Sequence, residues 1–142
     1  MVERWSAGWL ILVVVVGLAA SACAGRAPGR GPARPAVLDV QEGLASYYGP
    51  GFHGRVTASG RRFDMNLLVA AHPRYPFGTE VRVTNLRNGR SVRVRVIDRG
   101  PAIGPRQDGV IIDLSRRAAQ ALDFVQDGRA RVRLEVLRWG VN

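Results

Sequence analysis

The chain has 142 residues, and its 21 basic residues, all of them Arg, exceed its 11 acidic residues to give a formal charge of +10. This length supports a single hydrophobic core and excludes two full-sized domains. The one cysteine excludes an intrachain disulfide. The charge alone would suggest a nucleic-acid partner, but an export signal in the first 22 residues argues against one. In an exported protein the positive charge favours anionic polymers of a cell envelope as partners, unless the Arg content only reflects genomic base composition.

The first 22 residues predict an export signal, with an apolar run at 10–16 and small residues at 19–22. Cys23 follows directly, which resembles the bacterial lipobox and predicts a lipidated thiol. The alternative is an unmodified thiol behind an ordinary signal sequence. Residues 23–36 are rich in Gly, Pro and Arg without periodicity and predict a disordered tether. We therefore expect lipid anchoring to a plasma or outer bacterial membrane, facing the periplasm or the wall.

The folded domain is predicted to occupy residues 37–142 and to begin with a strand at 43–48. Tyr47 and Tyr48 alternate faces in such a strand, so one is expected to pack on the core and the other to face a groove. The glycine-rich residues 49–62 predict a binding loop. A short apolar run at 67–71 predicts a buried strand, which His72-Pro73 ends in extended backbone.

A β-hairpin is the clearest predicted element. Val81 and Val83 alternate with polar residues, as do the valines at 92, 94 and 96 on the second strand. Asn88-Gly89 between them predicts a two-residue type I′ turn. The hairpin should therefore have one apolar face and one cationic face.

Two acids end strand-like runs. Asp98 closes the second hairpin strand directly before Arg99-Gly100-Pro101, and Asp113 follows the apolar run 110–112. A carboxylate where a strand meets a loop lies at a rim, which is where folds commonly place chemistry. From position alone, turn capping is the alternative for Asp98. Asp113 is interpreted as part of the turn into the next helix.

The last predicted elements are a helix at 116–122 capped by Ser115 and a closing strand at 132–136. Six short strands with one or two short helices predict a mostly β protein. Because closure removes exposed strand edges, we expect a small six-stranded barrel.

A series of ordered sequence blocks resembles the rare lipoprotein A family of double-psi β-barrels. The blocks span residues 43 to 137 and include 43–49, 52–55, 57–60, 63–65, 70–73, 76–79, 81–86, 88–91, 94–96, 98–101 and 112–115. The resemblance implies an endolytic lytic transglycosylase that cuts peptidoglycan between N-acetylmuramic acid and N-acetylglucosamine and leaves 1,6-anhydro ends. It implies no cofactor and no metal, and we expect a monomer.

The same resemblance assigns Asp98 as the catalytic acid and His72 as its associated residue. One carboxyl can protonate the leaving oxygen and then accept the proton of the attacking C6 hydroxyl, so the second carboxylate of glycoside hydrolysis is not obligatory. The residues implied in contacting the glycan strand are Tyr48, Phe52, His53, Thr57, Ser59, Arg61 and Arg99.

Arg61 is the main departure from the family pattern, which has a catalytic Glu after the Thr-Ala-Ser-Gly block. An arginine cannot donate a proton at working pH, and a guanidinium close to Asp98 would favour the ionised carboxylate. The alternative function is therefore an expansin-like lipoprotein that binds peptidoglycan without cutting it.

Overall fold

Six β-strands close into a barrel in the computed structural model, which describes residues 33–141. The strands are β1 (Asp39–Tyr47), β2 (Val69–Ala71), β3 (Glu80–Asn85), β4 (Ser91–Asp98), β5 (Val110–Leu114) and β6 (Ala130–Arg138). Around the barrel the order is β1-β5-β2-β4-β3-β6, and β6 pairs with β1. The predicted mostly β barrel is confirmed. The predictions for the export signal and for Cys23 lie outside the described residues.

Pairing in the barrel is mixed. β1 runs parallel to β5 and β2 runs parallel to β4, while β1–β6, β2–β5, β3–β4 and β3–β6 are antiparallel. The short strand β2 therefore lies between β4 and β5, and it is hydrogen-bonded to both. This places the ends of β4 and β5 on either side of one short strand.

Alternating side chains build the core, as predicted. Val81 and Val83 of β3 and Val94 and Val96 of β4 are buried, and each buried valine contributes roughly 1.5–3 kcal/mol. On the opposite face charged residues form ion pairs: the Arg82 Nε lies 2.8 Å from Glu135 Oε2, and Glu80 Oε1 lies 3.5 Å from Arg95 and 2.6 Å from Arg138. The predicted cationic face is thus partly neutralised by interspersed glutamates.

The predicted type I′ turn at Asn88-Gly89 is wrong. Gly89 has a φ of 74°, but Asn88 does not have a positive φ, and β3 ends at Asn85 while β4 starts only at Ser91. The amides of Asn85 and Asn88 both donate to the Leu122 carbonyl oxygen, each at 3.0 Å. A longer loop forms because this tertiary contact holds both side chains at the end of a helix.

The predicted strand at 67–71 is shorter than expected. β2 contains only Val69–Ala71, and Leu67 and Leu68 are 55% and 40% exposed. The cause is a turn at Asp64, whose carboxylate accepts the Asn66 N–H at 2.8 Å. The first strand is longer than predicted because its pairing with β6 extends back to Asp39.

Two α-helices complete the fold, α1 (Ile103–Gln107) and α2 (Arg116–Ala121), together with a 3₁₀ turn at Pro50–Phe52. The predicted cap of α2 is confirmed, since the Ser115 hydroxyl accepts the Ala118 N–H at 3.2 Å. The helices described within residues 33–141 all lack the length and apolar character that spanning a membrane requires.

The segment after β6 packs tightly against the residues that precede β3. The Gly140 N–H donates to the Thr79 hydroxyl at 3.0 Å. A Cβ at Gly140 would lie 1.9 Å from the Phe77 carbonyl oxygen, so this backbone approach requires glycine. Trp139 beside it packs its ring edge-on against Tyr75, with centroids 5.3 Å apart.

Candidate functional site

A β-bulge directs the side chain of Asp98. Ala70 of β2 is level with Val96, but the next residue, Ala71, is level with Asp98, so Ile97 is the extra residue of β4. Val96 and Ile97 are consecutive and both buried, in separate apolar clusters. Since a bulge shifts the alternation of the strand, Asp98 reaches the register level of Ala71 at the rim.

Three donors bind the Asp98 carboxylate. Its Oδ1 accepts the backbone N–H groups of Ala58 and Arg99, each at 2.8 Å. Its Oδ2 accepts the Tyr48 hydroxyl at 2.8 Å. Across the described part of the chain, Asp98 forms no ion pair with an arginine. The carboxylate is therefore oriented by neutral donors and is not held by a guanidinium.

The Thr-Ala-Ser-Gly block supplies one of these donors. Thr57 is buried, its hydroxyl donates to the Arg61 carbonyl oxygen at 2.8 Å, and it lies 3.0 Å from the Ser59 hydroxyl. The Thr57 N–H also donates to the Arg61 carbonyl at 2.7 Å. These bonds fix a tight turn that presents the Ala58 N–H to Asp98. Thr57 thus contributes to the site by fixing the turn that carries the Ala58 N–H.

An aromatic pocket opens beside Asp98. Its volume is about 210 Å³, and it is lined by Tyr48, Phe52, Arg55, Val56, Thr57, Phe63 and Asp98. The Tyr48 ring lies between Phe52 and Phe63, with centroids 5.1 and 4.6 Å away, and Phe52 is 44% exposed. Apolar ring faces beside a carboxylate suit a sugar ring, which presents C–H groups and hydroxyls together.

The two adjacent tyrosines of β1 have different surroundings, as the alternation predicts. Tyr47 packs against Phe124 and donates its hydroxyl to the Val125 carbonyl at 3.0 Å. Tyr48 faces the pocket, where burial and the hydrogen bond to Asp98 raise the pKa of its hydroxyl. Tyr48 therefore stays protonated and remains a donor to the carboxylate.

Arg61 lies outside the pocket that Asp98 lines. Its side chain is exposed, and with Ser59, Phe77 and Arg95 it borders a neighbouring cavity of about 220 Å³. Two of the predicted glycan contacts, Ser59 and Arg61, therefore belong to this second cavity. The guanidinium occupies the sequence position of the family's Glu without pairing with Asp98.

His72 is buried, with 1% of its surface exposed. Its Nδ1 accepts the backbone N–H groups of Arg74 and Tyr75, at 3.2 and 3.0 Å, and its ring stacks on the Tyr75 ring at 3.6 Å. Its Nε2 lies 3.4 Å from Gln41 Oε1. Because Nδ1 accepts two hydrogen bonds, we assign the proton of the neutral ring to Nε2.

Across the described residues, the His72 ring shares no hydrogen bond with the Asp98 side chain. The two residues are joined by the backbone, where the His72 N–H donates to the Asp98 carbonyl at 3.2 Å. Burial, with the charges of Arg74 and Arg99, lowers the pKa of His72 to about 4. The ring borders a different cavity, of about 340 Å³, with Gln41 and Arg106. In this geometry His72 and Asp98 are linked through the backbone, and the catalytic assignment of His72 stays a prediction.

Two further predicted contacts hold loops together. The Arg99 guanidinium donates to the Tyr75 carbonyl at 2.9 Å and lies 3.8 Å above the Phe77 ring. His53 is exposed, and its Nδ1 accepts the Met65 N–H at 3.3 Å. Neither side chain lines the pocket of Asp98. Of the predicted contact residues, Tyr48, Phe52 and Thr57 are the ones gathered there.

Asp113 belongs to this region, although its place in the sequence predicted a turn. It lies inside β5, level with Ala71 of β2, and its carboxylate accepts the Ser46 hydroxyl. Burial raises the pKa of Asp113. The signal was present in the sequence: Val110, Ile112 and Leu114 alternate into the core, so Asp113 must face the other side.

Within residues 33–141, no cluster of three or more His, Cys, Asp or Glu side chains has a geometry that could hold a metal ion.

The fold and the rim define a double-psi β-barrel with a carboxylate beside an aromatic pocket. The chain belongs to the lytic transglycolase family, whose pattern matches residues 40–134. This match includes Asp98, His72 and Asp113. The family predicted from the ordered sequence blocks is thereby confirmed.

Curated relatives carry the name of one activity. A Synechocystis protein named probable endolytic peptidoglycan transglycosylase RlpA is 52% identical over 102 residues, covering 72% of this chain and 30% of that protein. The Campylobacter jejuni endolytic peptidoglycan transglycosylase RlpA is 49% identical over 109 residues, covering 77% and 38%. The chain thus spans about a third of the length of these relatives.

Solved structures share the barrel. The Streptomyces papain inhibitor superposes with a TM-score of 0.57 at 25% identity, over 72% of this chain and 97% of its own. An apo expansin of Clavibacter michiganensis superposes with a TM-score of 0.55 at 23% identity, over 73% of this chain and 53% of its own. The likeness to the expansin concerns the fold alone.

Proposed function

We propose that the protein is an endolytic peptidoglycan transglycosylase that cuts between N-acetylmuramic acid and N-acetylglucosamine. The observation that carries the proposal is the Asp98 carboxylate, oriented by Tyr48 and two backbone N–H groups at the edge of an aromatic pocket. The names of the relatives support the same activity. Membership of the lytic transglycolase family supports the same class of reaction.

The reaction needs no water as nucleophile. The C6 hydroxyl of the N-acetylmuramic acid attacks its own anomeric carbon, the bond to the leaving oxygen breaks, and a 1,6-anhydro ring forms. The leaving oxygen gains one proton and the C6 hydroxyl loses one, so the protein must supply a positioned group for proton transfer. The position of the Asp98 carboxylate at the border of the pocket supports a part for Asp98 in these transfers.

The setting of the reaction is part of the proposal. Lipid attachment at Cys23 would hold the domain at a bacterial membrane, within reach of the wall, and the domain would act as a monomer. The formal charge of +10 supports attraction to the anionic polymers of an envelope. Glycan strands would bind along the exposed face of Phe52 beside Asp98.

A second candidate is a barrel that binds peptidoglycan without cutting it. The observation in its favour is Arg61, which stands where the family has its catalytic Glu and cannot act as an acid. Both candidates require a glycan-binding surface, so binding alone does not separate them. The products separate them.

The experiment incubates the purified protein with sacculi and analyses the soluble fragments by mass spectrometry. We expect fragments with 1,6-anhydro ends. Asp98→Asn should lower their rate of release by about 10²- to 10⁴-fold, the usual contribution of a positioned proton-transfer group. Sedimentation with sacculi should be unchanged. Asp127→Asn is the matched control, since Asp127 is an exposed acid paired with Arg87 away from the rim.

Wild-type protein that sediments with sacculi and releases no anhydro ends would establish the binding candidate instead. If Asp98→Asn cut as fast as the wild type, the assignment of Asp98 would be wrong while the activity stood.

A further inference from the structure

We propose that Asp113 is a second catalytic carboxyl, which protonates the leaving oxygen while Asp98 accepts the proton of the C6 hydroxyl. This inference rests on the proposed function and assigns the two proton transfers to different groups. Ala71 of β2 is level with Asp98 on one side and with Asp113 on the other.

The register places both carboxyls on one surface. Residues directly opposite on adjacent strands direct their side chains to the same face of a sheet. Two strand spacings separate β4 from β5 across β2, so the Cα atoms of Asp98 and Asp113 lie about 10 Å apart. A separation of this order leaves room for a glycosidic bond between the two side chains.

Small residues form the surface between Asp98 and Asp113. A Cβ added at Gly100 would lie 3.2 Å from the Ala71 Cβ, 3.3 Å from Asp113 Oδ2 and 3.7 Å from the Tyr48 hydroxyl. Asp113 Oδ2 and the Tyr48 hydroxyl, which donates to Asp98, thus lie near one point above Gly100. No bulky side chain at residues 71 or 100 occupies the space between the two carboxyls.

The hydrogen bonds of the two acids suit different roles. The Asp98 carboxylate accepts hydrogen bonds from three donors, two on Oδ1 and one on Oδ2, and the remaining lone pair of Oδ2 can accept the proton of the C6 hydroxyl. In the described part of the chain, the hydrogen bond to the Asp113 carboxyl comes from Ser46. Burial, with the nearby charge of Asp98, raises the pKa of Asp113 and favours its protonated form.

This division supplies the acid that Arg61 cannot. Asp113 transfers its proton to the leaving oxygen as the glycosidic bond breaks, and Asp98 accepts the proton of the attacking C6 hydroxyl. After release of both products, proton exchange with water returns each carboxyl to its starting state. The protons balance without water as nucleophile and without any group at residue 61. Two carboxyls with separated pKa values are a recurrent solution for acid and base at one site.

The first test is Asp113→Asn, compared with Asp127→Asn as the matched control. We expect the kcat for release of anhydro ends to fall about 10²-fold or more, with little change in KM, in sedimentation with sacculi or in the midpoint of thermal unfolding. Release within about threefold of the wild-type rate, with an unchanged pH profile, would overturn the inference and leave the proposed function standing.

The second test is Ser46→Ala, which keeps both carboxyls. The Ser46 hydrogen bond lowers the pKa of Asp113, so its removal should move the alkaline limb of the pH-rate profile to higher pH. A merely structural role for Asp113 would leave this limb in place, and an unmoved limb would overturn the inference even if Asp113→Asn failed to fold. Absence of anhydro ends from the wild type would instead mean failure of the proposed function.

Discussion

Asp98 and His72 are joined through the backbone but have different surroundings. The Asp98 carboxylate borders an open aromatic pocket and accepts hydrogen bonds from a hydroxyl and two backbone N–H groups. The His72 ring is covered by Tyr75, accepts two backbone N–H groups and borders a separate cavity. A family resemblance assigns both residues to one site, yet the Asp98 carboxylate lines an open pocket whereas the His72 ring is buried.

The largest expected effect that tests this difference concerns the stability contributed by His72. Its pKa is about 4 in the folded protein, against an ordinary value of 6.5. Between these values the unfolded chain binds a proton that the native ring excludes. The free energy of unfolding should therefore have its full value above pH 6.5 and should fall by about 3 kcal/mol as the pH decreases to 4.

The measurement is urea unfolding of the wild type and of His72→Asn between pH 4 and pH 7. Asn retains an acceptor for the Arg74 and Tyr75 N–H groups but does not titrate, so its unfolding free energy should depend less on pH in this window. Equal pH dependence in the two proteins would mean that the ring is accessible to protons, and the contrast with Asp98 would be lost.

Tyr48→Phe tests the open side of the comparison and should have an intermediate effect. The substitution removes the donor to Asp98 Oδ2 and keeps the ring between Phe52 and Phe63. A hydrogen bond to a charged group contributes roughly 1.5–3 kcal/mol, so the release of anhydro ends should slow by about 10- to 100-fold.

Tyr47→Phe is its control, because the Tyr47 hydroxyl donates to the Val125 carbonyl on the core side. That variant should cut at the wild-type rate, as measured by anhydro ends released from sacculi. Equal losses in the two variants would indicate general destabilisation and no specific part for the Tyr48 hydroxyl.

Arg61→Glu should have the smallest effect. Arg61 is exposed in the cavity next to that of Asp98, and exposed substitutions usually change free energies by about 0.5 kcal/mol or less. We expect a rate within about threefold of the wild type, with Arg90→Glu as a control of equal charge change. A tenfold rise for Arg61→Glu alone would place proton donation at residue 61 and contradict the part assigned to Asp113.

Alternation in the sequence predicted the barrel well, because burial on one face imposes a period of two. The valines of β3 and β4 are buried as expected, and Ser115 caps α2. The hairpin turn was wrong, since Asn88 bonds to the Leu122 carbonyl on a distant helix. A local turn rule contains no information about that partner.

The site was only partly predictable, for a similar reason. Asp98 was found from its place at the end of a strand, but the bulge at Ile97 that sets its direction depends on pairing with β2. The alternation of β5 indicates that Asp113 faces away from the core, but its contact with Ser46, which is distant along the chain, could not be found from that segment. Which side chains line one pocket depends on contacts between strands that no single segment specifies.

The close approach at Gly140 has a consequence for how this domain tolerates change. A methyl group there would collide with the Phe77 carbonyl oxygen, although the residue lies beyond the last strand. At this position the space available for a side chain limits substitution more strictly than catalysis or burial does. Variation among descendants of this sequence should thus be as restricted at this peripheral residue as at the centre of the fold.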